Sequence, residues 1–177
     1  GLVREAWAQG VRSFDTSNNY GNGQSERLLG SVLAGFPRRH YVVSTKGGWP
    51  LSSEAFDSGL SRKHIVDAFD QSLSNLGLDY VELLYAHRFD SSVEMREIVR
   101  TYNQLISTGR IMHWAVSEWP HESILECKNI CDELKLEPPI ANQVNFSFLE
   151  DKVLASGTLE LCRELGISIV AYGPLAQ

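Results

Sequence analysis

The chain has 177 residues, of which 43% are hydrophobic and 21% are charged, and its formal net charge is −6. This composition is typical of one globular domain with its own core. The acidic balance and the lack of a basic run argue against binding to nucleic acid. The longest apolar run, near residues 167–171, is too short to cross a bilayer, so we expect no membrane insertion.

The three cysteines, Cys127, Cys131 and Cys162, match no zinc-site spacing, and one would stay unpaired in any disulfide scheme. Cys127 and Cys131 lie one helical turn apart, which suits one face of a helix. We interpret all three as reduced packing residues, predict no metal site, and expect a cytoplasmic protein.

Apolar periodicity and turn residues predict alternating helices and strands along the chain. A first helix ends before Gly10, and Ser61 is a good N-cap for a later one. The apolar run Tyr41–Val43 predicts a strand buried on both faces. Strands are predicted at 11–15, 40–46, 79–87, 110–117, 140–146 and 167–172, and further helices at 26–34, 62–76, 93–107, 120–134 and 158–165.

Regular alternation with short connections predicts an α/β fold with a parallel sheet and right-handed crossovers. Both an open doubly wound sheet and a closed (β/α)8 barrel fit this pattern. A dinucleotide-binding glycine fingerprint after a strand would favour the open sheet, and the sequence has none.

Chemically useful residues end the predicted strands. The first strand ends at Asp15, and Tyr20 follows in a loop rich in Asn and Gly, where tight turns are favoured. Each such residue alone has a plain structural interpretation, for example a solvated lysine or a core histidine. Together they predict a shared site, because the carboxyl ends of parallel strands meet at one edge. The later strand-end residues are Thr45, Lys46, His87, Ser117, Asn142, Gln143, Asn145 and Tyr172.

These residues lie in motifs that resemble the aldo-keto reductase superfamily. The resemblance covers the whole chain in order, and the segment Gly59–Ile65 is most similar to the branch that contains β-subunits of voltage-gated potassium channels and their microbial relatives. The matching segments are Phe14–Gly21, Ser44–Lys46, Leu84–Arg88, Ala115–Ser117, Asn142–Val144 and Ala171–Leu175.

The resemblance implies a (β/α)8 TIM barrel, of which this chain supplies about six β/α units. It also implies NADP(H) as cofactor and reduction of a small-molecule carbonyl substrate, an aldehyde or a ketone, to an alcohol. The catalytic tetrad of the family falls on Asp15, Tyr20, Lys46 and His87. A phenol donates a proton more readily when an ammonium stabilises its phenolate, which is the role the resemblance gives Lys46, held by Asp15. His87 would hydrogen-bond the carbonyl oxygen. We expect the Lys46 ammonium to lie within hydrogen-bonding reach of both the Asp15 carboxylate and the Tyr20 hydroxyl.

The resemblance also implies which residues bind the cofactor. Ser117 and Gln143 match positions that bind the nicotinamide carboxamide, and Tyr172 matches the aromatic that stacks on the nicotinamide ring. The resemblance places the cofactor pyrophosphate along Gly173, Pro174 and Leu175. Glu118 departs from the Asn found in many relatives, so we leave it out of the cofactor set.

The second departure is length, because a full barrel usually needs about 250 residues. We treat residues 1–177 as a single barrel domain that is incomplete at both ends. Six strands of a closed barrel would leave two open edges with unpaired backbone groups. We therefore expect these residues to belong to a longer protein and, if isolated, to associate as a homo-oligomer or to bind NADP(H) weakly.

An alternative function is that of a redox-sensing regulatory subunit of a membrane channel, with little or no catalysis. In the channel β-subunits an Asn often replaces the histidine, so His87 favours catalysis. Trp49, one short turn after Lys46, is the predicted substrate-binding residue, although it could equally be a loop aromatic packed on the barrel rim.

Overall fold

A computed structural model describes residues 1–175. Six parallel strands pair in sequence order to form one sheet. The strands are β1 (Ser13–Asp15), β2 (Val42–Gly47), β3 (Val81–Ala86), β4 (Ile111–Ser117), β5 (Ala141–Asn145) and β6 (Ser168–Tyr172). The α-helices of this part of the chain are α1 (Leu2–Ala8), α2 (Gln24–Leu33), α3 (Arg62–Leu76), α4 (Met95–Ser107), α5 (His121–Leu134), α6 (Lys152–Ala155) and α7 (Thr158–Glu164).

The sheet is strongly curled. In a flat sheet β1 and β5 would lie about 19 Å apart, at about 4.8 Å per strand step. The side-chain amide of Gln143 in β5 nevertheless lies 3.4 Å from the carboxylate of Asp15 in β1. The six strands therefore form a half-barrel with alternating helices, and the predicted partial (β/α)8 barrel is confirmed.

Two layers of side chains flank the sheet, as the period of two along a strand requires. Trp114 of β4 points to the helices and stacks on Tyr102 of α4 with ring centroids 4.8 Å apart. Such pairs add about 0.5–1.5 kcal/mol to the hydrophobic gain. The next residue, Ala115, points the other way and packs with Tyr85 and Ala141 inside the barrel.

The predicted helices and strands are found with small shifts at their ends. The Ser61 hydroxyl accepts a hydrogen bond from the His64 N–H, which confirms the predicted cap of α3. All three cysteines are buried and free, as predicted. The prediction of a strand buried on both faces near residue 42 was wrong, because Val42 is 42% exposed. It lies at the start of β2, opposite Ser13 of the short edge strand β1, where little covers its outer face.

No helix in residues 1–175 has both the length and the apolar character needed to span a membrane. Within the same residues, no group of three or more His, Cys, Asp or Glu side chains is arranged to hold a metal ion.

The contact between α2 and α3 depends on Gly30. A Cβ atom at this position would lie 2.2 Å from the carbonyl oxygen of Leu76, and a backbone atom cannot move away cheaply. We expect Gly30→Ala to lower the free energy of unfolding by about 3 kcal/mol, at the upper end of overpacking costs. Urea denaturation followed by circular dichroism measures this loss. Leu28→Ala, at a position of the same helix that is 67% exposed, is the control and should change stability far less.

Candidate active site

The four predicted catalytic residues come together at the carboxyl edge of the half-barrel. Asp15 ends β1, Lys46 lies next to the end of β2, and His87 follows β3 directly. Tyr20 lies in the turn after β1. The strands are parallel, so residues up to 72 positions apart in sequence share one mouth.

Lys46 is the buried centre of this group. Its side chain is 0% exposed, and its ammonium donates to the Asp15 carboxylate at 2.5 Å and to the Thr16 carbonyl at 2.7 Å. The other Asp15 oxygen accepts from the Ser44 hydroxyl at 2.5 Å. A buried ammonium is tolerated only when it is paired in this way. The pair fixes a positive charge under the mouth.

The Tyr20 ring covers this charge, with its centroid 5.1 Å from Lys46 Nζ. The side chain is 43% exposed, so its hydroxyl is accessible from the mouth. We expected a direct bond from Lys46 to that hydroxyl, but within residues 1–175 the ammonium donates to Asp15 and Thr16 only. These two acceptors, at the end of β1 and just after it, hold Nζ under the Tyr20 ring rather than at its hydroxyl.

A second phenol, Tyr85, also lies near Lys46, with its ring centroid 5.8 Å from Nζ. It is only 2% exposed, inside the barrel. Burial, together with the Asp15 charge, raises the pKa of Tyr85 to about 12. Tyr85 therefore stays protonated and out of reach of a substrate, which leaves Tyr20 as the accessible phenol.

His87 lies beside the Tyr20 ring at 6.2 Å between centroids, and its Nδ1 is 3.2 Å from the Ser17 hydroxyl. Burial, with help from the charges of Lys46 and Arg88, lowers the pKa of His87 to about 4. The imidazole is therefore neutral near physiological pH. The single Ser17 hydroxyl proton also has the Asn19 amide oxygen as an acceptor at 2.6 Å. In the tautomer that carries its proton on Nε2, the His87 ring N–H is available to a ligand.

The lowered pKa of His87 predicts acid sensitivity. Its folded-state pKa of about 4 lies below the ordinary value of 6.5, so the unfolded chain binds more protons between these values. The free energy of unfolding should therefore fall as the pH drops from about 6.5 to about 4. Urea unfolding at about pH 7 and about pH 4.5 should show a smaller loss for His87→Asn than for the native protein. Equal losses would contradict this pKa, and His40→Asn, at an exposed position, is the control.

The two residues predicted to bind the nicotinamide carboxamide are neighbours on adjacent strands of the sheet. Ser117 of β4 pairs with Gln143 of β5, and both are buried near the mouth. The Gln143 amide makes a long 3.4 Å contact to Asp15 and a side-chain hydrogen bond with Tyr85, and an amide has further donor and acceptor positions for a ligand. Tyr172 ends β6 and is 36% exposed. Two buried polar groups beside an accessible aromatic face fit an amide-bearing aromatic ring such as nicotinamide.

The predicted pyrophosphate segment follows β6 directly. Gly173 has a φ of +64°, a backbone conformation that favours glycine. Pro174 is exposed, and Leu175 is 79% exposed. The structure thus places all of these residues at the rim beyond Tyr172, outside the buried group around Lys46.

Glu118 has a distinct position at the end of β4. Its φ of +54° is unusual for a side chain other than Asn, Asp or Gly, which explains why Asn is suited to this site. Its carboxylate accepts from the Asn145 N–H at 2.5 Å. Burial, and then the Glu118 charge, raise the pKa of Tyr172. Glu118 also lines a cavity of about 560 Å³ between the start of α5 and β6.

Trp49, the predicted substrate residue, lies at the mouth. Its ring is 40% exposed, and its centroid is 5.6 Å from that of His87. It therefore flanks the group around Lys46 on the side of the β2–α3 loop.

Sequence reasoning missed several residues that shape the site. Ser44 was found only as part of a motif, although its spacing of two from Lys46 puts both on the inner face of β2. The contact of Ser17 with His87 and the position of Arg88 depend on loop conformations that no sequence pattern specifies.

Three comparisons with known proteins agree with this geometry. A protein of Schizosaccharomyces pombe named as a voltage-gated potassium channel subunit beta is 35% identical over 176 residues, which are 98% of this chain and 51% of that protein. The thermostable aldo-keto reductase Tm1743, solved with the inhibitor epalrestat, superposes with a TM-score of 0.87 at 26% identity, over 99% of this chain and 60% of that one. A protein named as 2,5-diketo-D-gluconic acid reductase B gives a TM-score of 0.80 at 26% identity, over 99% and 57%.

The chain thus spans about half the length of the curated relative and under two thirds of the two solved structures. The sequence profile of the Aldo/keto reductase family matches residues 1–177 from end to end. The chain belongs to the aldo/keto reductase family.

Proposed function

We propose that this protein is an NADP(H)-dependent oxidoreductase that reduces aldehydes or ketones to alcohols. The observation that carries the proposal is the buried Lys46 ammonium, fixed by Asp15 at 2.5 Å and covered by the accessible Tyr20 ring beside a neutral His87. Family membership and the reductase neighbours support it. The three buried, free cysteines agree with a reducing compartment such as the cytoplasm.

The chemistry assigns one task to each residue. The bound cofactor supplies a hydride to the carbonyl carbon. Tyr20 gives its hydroxyl proton to the carbonyl oxygen, which yields the alcohol, and Lys46 stabilises the phenolate that is left. His87 donates its ring N–H to the same oxygen and orients the carbonyl. Asp15 keeps the ammonium in place.

We assign the cofactor to the rim next to this group. Ser117 and Gln143 would bind the nicotinamide carboxamide, and the Tyr172 ring would cover one face of the nicotinamide. The pyrophosphate would run along Gly173, Pro174 and Leu175. The support for this assignment is the pairing of Ser117 with Gln143 and the exposed position of Tyr172.

A second candidate function is that of a regulatory subunit of a membrane channel. It is favoured by the 35% identity to a protein named as a voltage-gated potassium channel subunit beta. In that case the cofactor site would sense the ratio of reduced to oxidised nicotinamide rather than support turnover.

Turnover separates the two functions. The protein as its gene encodes it is incubated with NADPH and 4-nitrobenzaldehyde, and the loss of NADPH absorbance is followed. Sustained turnover above that of a Tyr20→Phe preparation is the result expected of a reductase. Tight NADPH binding without turnover of this or other simple aldehydes would overturn the catalytic proposal in favour of the regulatory one.

A further inference from the structure

We propose that Arg88 selects carbonyl substrates that carry a carboxylate, such as oxo acids and carboxylated aldehydes. The inference rests on the proposed reductase function and names the substrate class of that site. It begins from a guanidinium that the fold places at the mouth beside His87, with no assigned role in the reaction.

The position of Arg88 is fixed by three contacts. Its Nη1 donates to the His87 carbonyl at 2.6 Å and to the Ser117 hydroxyl at 3.1 Å. Its Cζ lies 5.0 Å from the centre of the Trp49 ring. The side chain therefore spans the mouth between the β2–α3 loop and the end of β4.

In the part of the chain that the structure describes, the Arg88 charge has no acidic partner. Within residues 1–175 no carboxylate lies within 4.0 Å of its guanidinium, whereas Arg38, Arg96 and Arg110 each form an ion pair. Glu118, at the end of β4, binds the Asn145 N–H instead. Because Asp15 neutralises Lys46 and His87 is neutral, Arg88 supplies the uncompensated positive charge at this mouth.

The remaining donors of Arg88 suit a carboxylate. In the described part of the chain the guanidinium bonds to His87 and Ser117 both use Nη1, and Nε and Nη2 face the mouth with the Tyr172 hydroxyl as a polar neighbour. These two N–H groups lie on one edge of the planar guanidinium and match the two oxygens of a carboxylate. The guanidinium is half-buried, so the pair would be screened less than one on the open surface.

The neighbouring residues fit the rest of such a substrate. Trp49 lies near both Arg88 and His87. The centre of its ring is 5.0 Å from Arg88 Cζ and 5.6 Å from the centre of the His87 ring. It offers an apolar face to a flat or short spacer between the two polar ends. A carbonyl at His87 and Tyr20 would thus leave the carboxylate at Arg88.

A pair of substrates tests this inference. The protein as its gene encodes it is assayed with NADPH and either 4-carboxybenzaldehyde or 4-methylbenzaldehyde, which differ mainly in charge. We expect kcat/KM to be about 10–100-fold higher for the carboxylated aldehyde, because hydrogen bonds between charged groups contribute a preference of about this size. Arg88→Met should remove most of this preference, so that the ratio of kcat/KM for the two aldehydes falls toward 1.

A binding measurement gives a readout that does not depend on turnover. Calorimetry with 4-carboxybenzyl alcohol should show binding that Arg88→Met weakens and Arg88→Lys partly keeps, since lysine retains the charge without the planar fork. Arg100→Met, at an exposed position of α4, is the matched control and should leave both measurements unchanged.

Specific outcomes would overturn the inference. One is a native protein that reduces both aldehydes equally well. Another is an Arg88→Met variant that loses affinity for NADPH while the ratio of kcat/KM for the two aldehydes stays the same. That result would make Arg88 a cofactor residue. Failure to reduce either aldehyde would instead refute the proposed function, and selective binding of the carboxylated alcohol would still support an anion site at Arg88.

Discussion

Tyr20→Phe is expected to lower kcat for aldehyde reduction by about 10²–10⁴-fold, the usual contribution of a general acid. The change removes only the hydroxyl, and the ring that lies 5.1 Å from Lys46 Nζ is kept. Tyr20 has no role in the proposed cofactor site, so the Kd for NADPH should stay nearly constant. Steady-state kinetics and NADPH fluorescence titration measure the two quantities.

A matched control uses another tyrosine of the chain. Tyr80 packs under the Arg38 guanidinium at 4.2 Å, away from the mouth, so Tyr80→Phe should leave kcat unchanged. Native turnover in the Tyr20→Phe protein would remove Tyr20 from the mechanism. Loss of NADPH affinity in the same variant would place its hydroxyl in the cofactor site instead.

Asp15→Asn is expected to cost the protein both activity and stability. It leaves the Lys46 ammonium, whose side chain is 0% exposed, without its anionic partner. Breaking a buried ion pair in this way costs about 3 kcal/mol or more. Lys46→Met should cost less, because the Asp15 side chain that remains is 41% exposed and water can solvate it. Both variants should lose most of kcat, since Lys46→Met removes the charge near Tyr20 and Asp15→Asn removes the carboxylate that holds this charge in place.

Urea denaturation of the two variants measures this asymmetry. The control is Asp67→Asn, which breaks the exposed ion pair of Asp67 with Lys63 on α3 and should change stability by less than about 0.5 kcal/mol. A smaller loss for Asp15→Asn than for Lys46→Met would show that the buried ammonium does not depend on Asp15.

The order and type of the elements were predictable from local patterns. Helix α3 shows why, since Ser61 caps its start and Gly77, with a φ of +65°, ends it. Both signals act within one or two turns of the chain. Strands β3 and β4 lie within the ranges 79–87 and 110–117 that apolar periodicity and turn residues predicted.

Edges and short elements were harder to predict. The start of β1 was placed at Val11 but lies at Ser13, because pairing with Val42 begins there. Helix α6 has only four residues and was missed, since so short a segment carries no periodicity. Such boundaries depend on the hydrogen bonds and the packing that the neighbouring strand or helix provides.

The sequence by itself determined which residue types end the strands, because the carboxyl ends of parallel strands must share one edge. Asp15, Lys46 and His87 were therefore predictable as a group. The tertiary structure decided how they meet. The curl of the sheet brings Gln143 to within 3.4 Å of Asp15, and two acceptors, at the end of β1 and just after it, hold Lys46 under the Tyr20 ring. The neutral state of His87 and the position of Arg88 likewise follow from burial and loop packing, which are properties of the folded chain and of no local pattern.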